Sequence, residues 1–254
     1  MNNHEYHANP AISKSGLDRI NISPAHYKAW LTEDRVETPA MKLGTAAHCA
    51  ILEPERFQSD YIAAPDGIDR RTKAGKEAWS DMESSGKIIL PAADYAALLA
   101  MRESVMSHQS ARELLSEGVA EQSFFGRLWD VDVKCRPDWL TSGIVVDLKT
   151  TQDASLIGFS KSIANFRYAV QHAFYCDVLS VCGVEPQAFI FVAVEKTAPY
   201  AVGVYEMDAA SVEIGREAYQ RNLDTYKRCL DTSEWPAYST AIESISLPKW
   251  AMDV

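Results

Sequence analysis

With 254 residues and 47% hydrophobic content, the chain can bury a substantial core and stays within the range of one large domain. Its formal charge of −10 argues against a protein that coats nucleic acid by charge alone, yet leaves room for a carboxylate-rich metal site beside a local basic patch. No apolar run approaches the roughly 20 residues that span a bilayer, and the opening MNNHEYHANP lacks a basic region with an apolar one behind it. The five cysteines (Cys49, Cys135, Cys176, Cys182, Cys229) have no CxxC spacing and mostly lie in apolar stretches, so they read as buried free thiols. A cytoplasmic protein with no membrane association is expected.

The first elements are helical. Ser13-Lys14-Ser15 leads into a short capped helix over Gly16–Ile20, and Pro24 after Ser23 fits the first position of another. From Met41 to Leu52, Leu43, Ala46, Ala47, Ala50 and Ile51 recur at helical spacing, with Pro54 as the stop. His48 lies on this helix, where a packed core histidine is the ordinary expectation; Gly44, Ala46 and Ala47 would let the helix approach a sheet closely. Residues 66–87 change character. Arg70, Arg71, Lys73 and Lys76 fall within seven residues that contain no acid, which makes this stretch the candidate phosphate-contacting segment, or else a solvated loop and helix start. Pro91 to about Leu115 reads as a helix with an apolar stripe of Ala96, Leu98, Leu99, Val105 and Leu114.

The period then shortens. Val119–Phe125 and Leu128–Leu140 read as strands, with Glu121 near the start of the first, either as an edge residue or near a metal. The stretch VKCRPDWLTSGIVVDLKTT, Val133–Thr151, carries two apolar runs about Thr141-Ser142-Gly143 and reads as a hairpin in which Asp138 faces Asp147. Alternation puts Ile144, Val146 and Leu148 on one face, expected to be buried, and Val145, Asp147 and Lys149 on the other. Two carboxylates and an ammonium in that arrangement can bind a hard divalent cation and polarise a water, although a lone Asp-x-Lys is more often a weak solvated ion pair. Beyond it, Asp153 can cap a helix to about Ile163, and Phe166–Val181 makes another that ends at Gly183, with Gln171 and Tyr175 one turn apart on one face. Ala188–Val194 and Tyr200–Met207 form a strand pair, the first interior to its sheet, and Ala209–Leu230 is a long amphipathic helix. The tail, with Trp235-Pro236, Tyr238 and Leu247-Pro248-Lys249-Trp250, is too apolar to be free and should pack on the body or on a second subunit. No GxGxxG, Walker A, HExxH or GxSxG sequence occurs.

Taken in order, GTAAHCAILEPERF, RRTKAGKEAW, AEQSFFG, KCRPDWL, GIVVDLKTT and YAVQHAFY resemble the nuclease domain of RecE (exonuclease VIII) and its phage and prophage relatives, in the RecB-like branch of the PD-(D/E)xK nucleases. The resemblance runs from Ser13 nearly to the end. It implies an α/β fold with a restriction-endonuclease-like core, a mixed central sheet flanked by helices. The chain is expected to be one domain over 1–254, with a helical part at about 13–117, a catalytic core at 118–208 and a C-terminal helix and tail at 209–254.

The resemblance also implies a magnesium-dependent exonuclease, with manganese as a substitute, that digests linear double-stranded DNA from 5′ to 3′ and leaves 3′ overhangs for recombination. An endonuclease or single-strand nuclease on the same core, or a non-catalytic DNA-end-binding scaffold, is the alternative. By the same resemblance His48, Asp138, Asp147 and the Leu148 carbonyl are metal ligands, Lys149 positions or activates the attacking water, Gln171 and Tyr175 belong to a QxxxY motif beside them, and Glu121 matches a family-typical Glu. Double-stranded DNA ends, a homo-oligomeric ring and a single-strand annealing recombinase are the implied partners.

Overall fold

The computed structural model describes residues 1, 3–33, 37–65, 71–248 and 251. Short helices come first: α1 (Asn3–Ala8), α2 (Lys14–Ile22) and α3 (Pro24–Trp30). The Ser23 hydroxyl accepts from the His26 amide to start α3, and Pro24 sits where a missing N–H costs nothing. Thr38 and Pro39 start α4 (Pro39–Leu52) the same way, two residues ahead of the expected start, and Pro54 opens α5 (Pro54–Asp60). Two short parallel strands, β1 (Tyr61–Ala63) and β2 (Ile88–Leu90), bracket α6 (Lys73–Ser84). The helix expected over Pro91–Leu115 is two, α7 (Ala92–Ser107) and α8 (Gln109–Leu114). His108 breaks it with ψ of 115° and caps the second piece by accepting from the Ala111 amide.

The strands depart most from expectation. Val119–Phe125 is not continuous: β3 (Val119–Ala120) and β4 (Phe124–Leu128) are separated by a kink at Glu121, whose φ is 52°. Leu128–Leu140 divides into β5 (Val131–Cys135) and β6 (Trp139–Thr141) around Pro137, which has no N–H to give a ladder. β4 and β5 pair in a sheet of their own. The expected hairpin forms between β6 and β7 (Ile144–Thr151), with Gly143 at φ 85° in the turn, a conformation few other residues tolerate. α9 (Leu156–Asn165) is capped by Ser155, not Asp153, which instead accepts from the Ser155 amide. α10 (Tyr168–Val181) completes the crossover to β8 (Ala188–Glu195), parallel to β7; β9 (Val202–Glu206) returns antiparallel, and Asp208 caps α11 (Ala209–Thr232).

The result is a mixed sheet in the order β3-β6-β7-β8-β9 with helices on both faces, the restriction-endonuclease-like arrangement expected. On one face Val145, Phe189, Phe191 and Ala193 join a core with residues of α2, α3, α10 and α11. On the other, Val146, Leu148, Val192 and Val194 pack with residues of α4 and α7. Each fully buried large apolar side chain contributes roughly 1.5–3 kcal/mol. Both faces of β7 are therefore covered, not only the Ile144, Val146 and Leu148 face, and Asp147 is 0% exposed. Ala46 and Ala47 bring α4 close, as anticipated, with Ala50 buried beside them, but Gly44 borders open space. Cys49, Cys135 and Cys229 are buried free thiols as expected, whereas Cys176 and Cys182 are only half-buried.

The tail docks in part on its own chain. Trp235 stacks on Tyr27 at 5.7 Å, and the Pro236 carbonyl accepts from the Ala25 amide at 3.1 Å. Tyr238, Ile242, Ile245 and Leu247 are exposed, and Trp250 lies outside the described residues. No helix among the described residues is long and apolar enough to cross a membrane.

Candidate active site

Three segments converge beside β7. One residue beyond the Trp139–Val146 pair, the same antiparallel register sets Asp138 opposite Asp147. Asp138 Oδ2 accepts from the Leu148 amide at 2.8 Å, which fixes the carboxylate over the hairpin. Its Oδ1 lies 3.6 Å from His48 Nδ1 on α4, and that nitrogen lies 4.0 Å from Glu121 Oε1. The Glu121 amide donates to the Asp138 carbonyl at 3.0 Å, so the left-handed turn is tied to the hairpin. A non-glycine held there costs of order 1–3 kcal/mol, a strain that recurs where geometry serves function. The kink brings the Glu121 carboxylate to His48, and ligand atoms of His48, Glu121 and Asp138 lie within 4.8 Å of one another.

Behind this trio sits a buried ion pair. Asp147 Oδ1 faces the Lys149 ammonium, two positions along the same strand face, and Oδ2 accepts from Gln171 Nε2 of α10 at 2.5 Å. The ammonium also lies 4.8 Å from the centre of the Tyr168 ring. Tyr175, one turn beyond Gln171, is half-buried and makes ring contacts with Phe174 and Phe189. The Leu148 side chain is buried while its backbone meets His48.

The electrostatics identify what the cluster lacks. Burial pushes Glu121 up to about 7, with Asp138 adding like-charge repulsion. Burial raises Asp147 to about 6 against the pull of Lys149, and raises Asp138 against Lys149 and the Leu148 amide. Burial and then Lys149 bring His48 down to about 4, so its imidazole is neutral at pH 7 with a lone pair to give. Burial alone would lower Lys149, but Asp147 and Asp138 override it and hold the ammonium above its ordinary value. Burial thus pushes all three carboxyls toward their protonated forms, with Lys149 opposing it at Asp138 and Asp147 and Arg136 and Arg56 opposing it at Glu121. A neutral imidazole among carboxylate oxygens is a donor set that fits a divalent cation.

A cleft of about 1140 Å³ opens in front of the trio, bordered by His48, Glu121, Arg56, Tyr61 and Arg136. Arg136 was not anticipated, although it directly precedes Pro137-Asp138. Its Nε donates to Ser123 Oγ at 2.9 Å, and its guanidinium lies 4.2 Å from the centre of the Tyr6 ring. Arg71, Lys73 and Lys76 are exposed around the start of α6 and do not border this cleft; Lys73 pairs with Glu77 at 3.8 Å, and Arg70 lies outside the described residues.

Residues 13–248 match the family described as a PDDEXK-like domain of unknown function (DUF3799). The chain belongs to this family. Its PDDEXK-like class is the one that the resemblance implies, with Pro137-Asp138 and Asp147-Leu148-Lys149 in the signature positions. The crystal structure of a protein described as "Putative exonuclease" from Eubacterium rectale superposes with a TM-score of 0.68, covering 100% of this chain and 98% of that one at 12% identity, which speaks for the fold alone. The crystal structure of SSO0001 covers 80% of this chain and 99% of its own at 16% identity, with a TM-score of 0.32 that carries no weight. No curated protein matches.

Proposed function

We propose that this PDDEXK-like domain is a magnesium-dependent exodeoxyribonuclease, able to use manganese, that digests one strand of linear double-stranded DNA from its 5′ end and leaves 3′ overhangs. The observation that carries the reading is the meeting of His48, Glu121 and Asp138 with the buried Asp147–Lys149 pair, where His48 and Glu121 border a wide cleft. A bound divalent cation neutralises a phosphodiester and lowers the pKa of water. His48, Asp138, Asp147 and the Leu148 carbonyl are its ligands, and Glu121 supplies a further carboxylate. Lys149 keeps a fixed positive charge by the scissile phosphate and positions the attacking water. Gln171 orients Asp147 through its amide, and Tyr175 backs the same helix face.

Arg70, Arg71, Lys73 and Lys76 are assigned to DNA phosphates further from the chemistry. The 5′ polarity, the role in recombination, a ring-like homo-oligomer, a recombinase partner and a cytoplasmic location follow from the likeness to RecE nucleases. In this reading the whole chain acts as one catalytic domain.

Asp147→Ala is expected to abolish cleavage of a 5′-phosphorylated duplex while circular dichroism reports an intact fold. Near-native cleavage by that variant means the site lies elsewhere.

A further inference from the structure

The Tyr168 ring lies beneath two ammonium groups, Lys149 at 4.8 Å and Lys14 of α2 at 6.0 Å from its centre. Lys14 and the site residue Lys149 are therefore neighbours of one ring. Its ammonium pairs with Asp18 Oδ2 at 2.8 Å and donates to the Phe166 carbonyl at 2.7 Å. Arg167 pairs through Nη1 with the other oxygen of the same carboxylate, also at 2.8 Å, and its Nη2 is buried with no partner. One carboxylate thus serves two cations, and a buried N–H remains to be satisfied. Burial pulls Lys14 below its ordinary value, and Lys149 and Arg167 add like-charge repulsion. Arg167 is held at φ 55°, so the corner between α9 and α10 is shaped at some cost.

Beside these cations Phe166 is 59% exposed, stacked on Tyr168 at 5.6 Å. Surplus positive charge and an open aromatic face together match the two parts of a nucleotide, a phosphate and a base.

We propose that Lys14, Arg167 and Phe166 form a subsite for one nucleotide of the strand being cut, with its phosphate at Lys14 and Arg167 and its base against Phe166. The proposal rests on the nuclease reading above. Stacking on Phe166 requires an unpaired base, so the subsite takes a nucleotide that has left the duplex. Asp18 acts as the internal stand-in that holds both cations until the phosphate arrives.

The test is fluorescence anisotropy of the full chain with a labelled linear duplex in EDTA, titrated over salt. Arg167→Gln and Lys14→Gln should each flatten the slope of log affinity against log salt by about 0.7–0.9. Phe166→Ala should weaken binding about tenfold without changing that slope. Asp18→Asn removes the competing carboxylate and should tighten binding. If the three charges only pin α2 to the α9–α10 corner, Asp18→Asn and Arg167→Gln will lower the melting temperature alike and leave the salt slope untouched, which overturns the proposal. Losses confined to 5′-phosphorylated ends would assign the phosphate as terminal, and equal losses on 5′-hydroxyl ends as internal; both support the subsite. A wild type that shows these slopes yet cuts nothing with any divalent cation sinks the nuclease reading and leaves the subsite standing, whereas a wild type that binds no DNA sinks both.

Discussion

Replacing Lys149 by methionine keeps a side chain of similar length and removes the one ammonium that faces Asp147 among the described residues. Asp147 is 0% exposed, and its other oxygen has one neutral partner, Gln171. Breaking a buried ion pair by removing one member costs about 3–5 kcal/mol, because the remaining charge has neither water nor partner. The carboxylate can escape by taking up a proton, so the loss must depend on pH. Burial already raises Asp147 to about 6 with Lys149 present. Without that ammonium the folded-state value climbs further, and a carboxyl raised in the folded state contributes stability when protonated that is lost as pH rises through its folded value. In metal-free buffer, Lys149→Met should therefore lose about 3–5 kcal/mol at pH 8 and clearly less at pH 5.5. Urea unfolding of both proteins at the two pH values measures this. An equal loss at both, or less than about 1 kcal/mol at pH 8, would mean that the pair is solvated and behaves as a surface ion pair.

His48→Ala should weaken divalent-cation binding about tenfold or more, equivalent to about 1.4 kcal/mol, with manganese restoring function better than magnesium. Titration calorimetry decides it: unchanged metal affinity with a large fall in melting temperature would make His48 a packing residue. Glu121, raised to about 7, must lose its proton before it can serve a cation, so metal affinity should climb between pH 6 and pH 8. Glu121→Gln should remove most of that climb, weakening binding at pH 8 and changing it little at pH 6; a variant with the same pH profile as the wild type would place Glu121 outside the metal's surroundings.

The helices and the hairpin were legible because they obey local rules. Ser23-Pro24 marks a helix start, and apolar β8 announces an interior strand, whereas the caps Thr38 and Asp208 emerge only in the structure. The Gln171 and Tyr175 pair landed on one helix as their spacing allowed, and Gln171 reaches Asp147, beside the site as the resemblance implies. What was not legible depends on partners distant in the chain. The kink at Glu121 is held by the Asp138 carbonyl, and nothing in AEQSFFG signals a left-handed residue there. The burial of Asp147 on a strand covered on both faces depends on α10 coming to rest over it. The Asp18–Arg167 contact joins α2 to a corner 149 residues later, beyond any periodic pattern. Charge density alone favoured Arg70 to Lys76, whereas Arg136 at the cleft stands in no basic run.

The central claim is metal-dependent digestion of DNA from its ends. A time course on a 5′-labelled linear duplex and on a closed circular duplex of the same sequence, each with magnesium or with EDTA, tests it most directly. The account predicts early release of the label from the linear duplex with magnesium, an intact circle, and no cleavage in EDTA. Nicking of the circle at a comparable rate, or release of the label in EDTA, would contradict it.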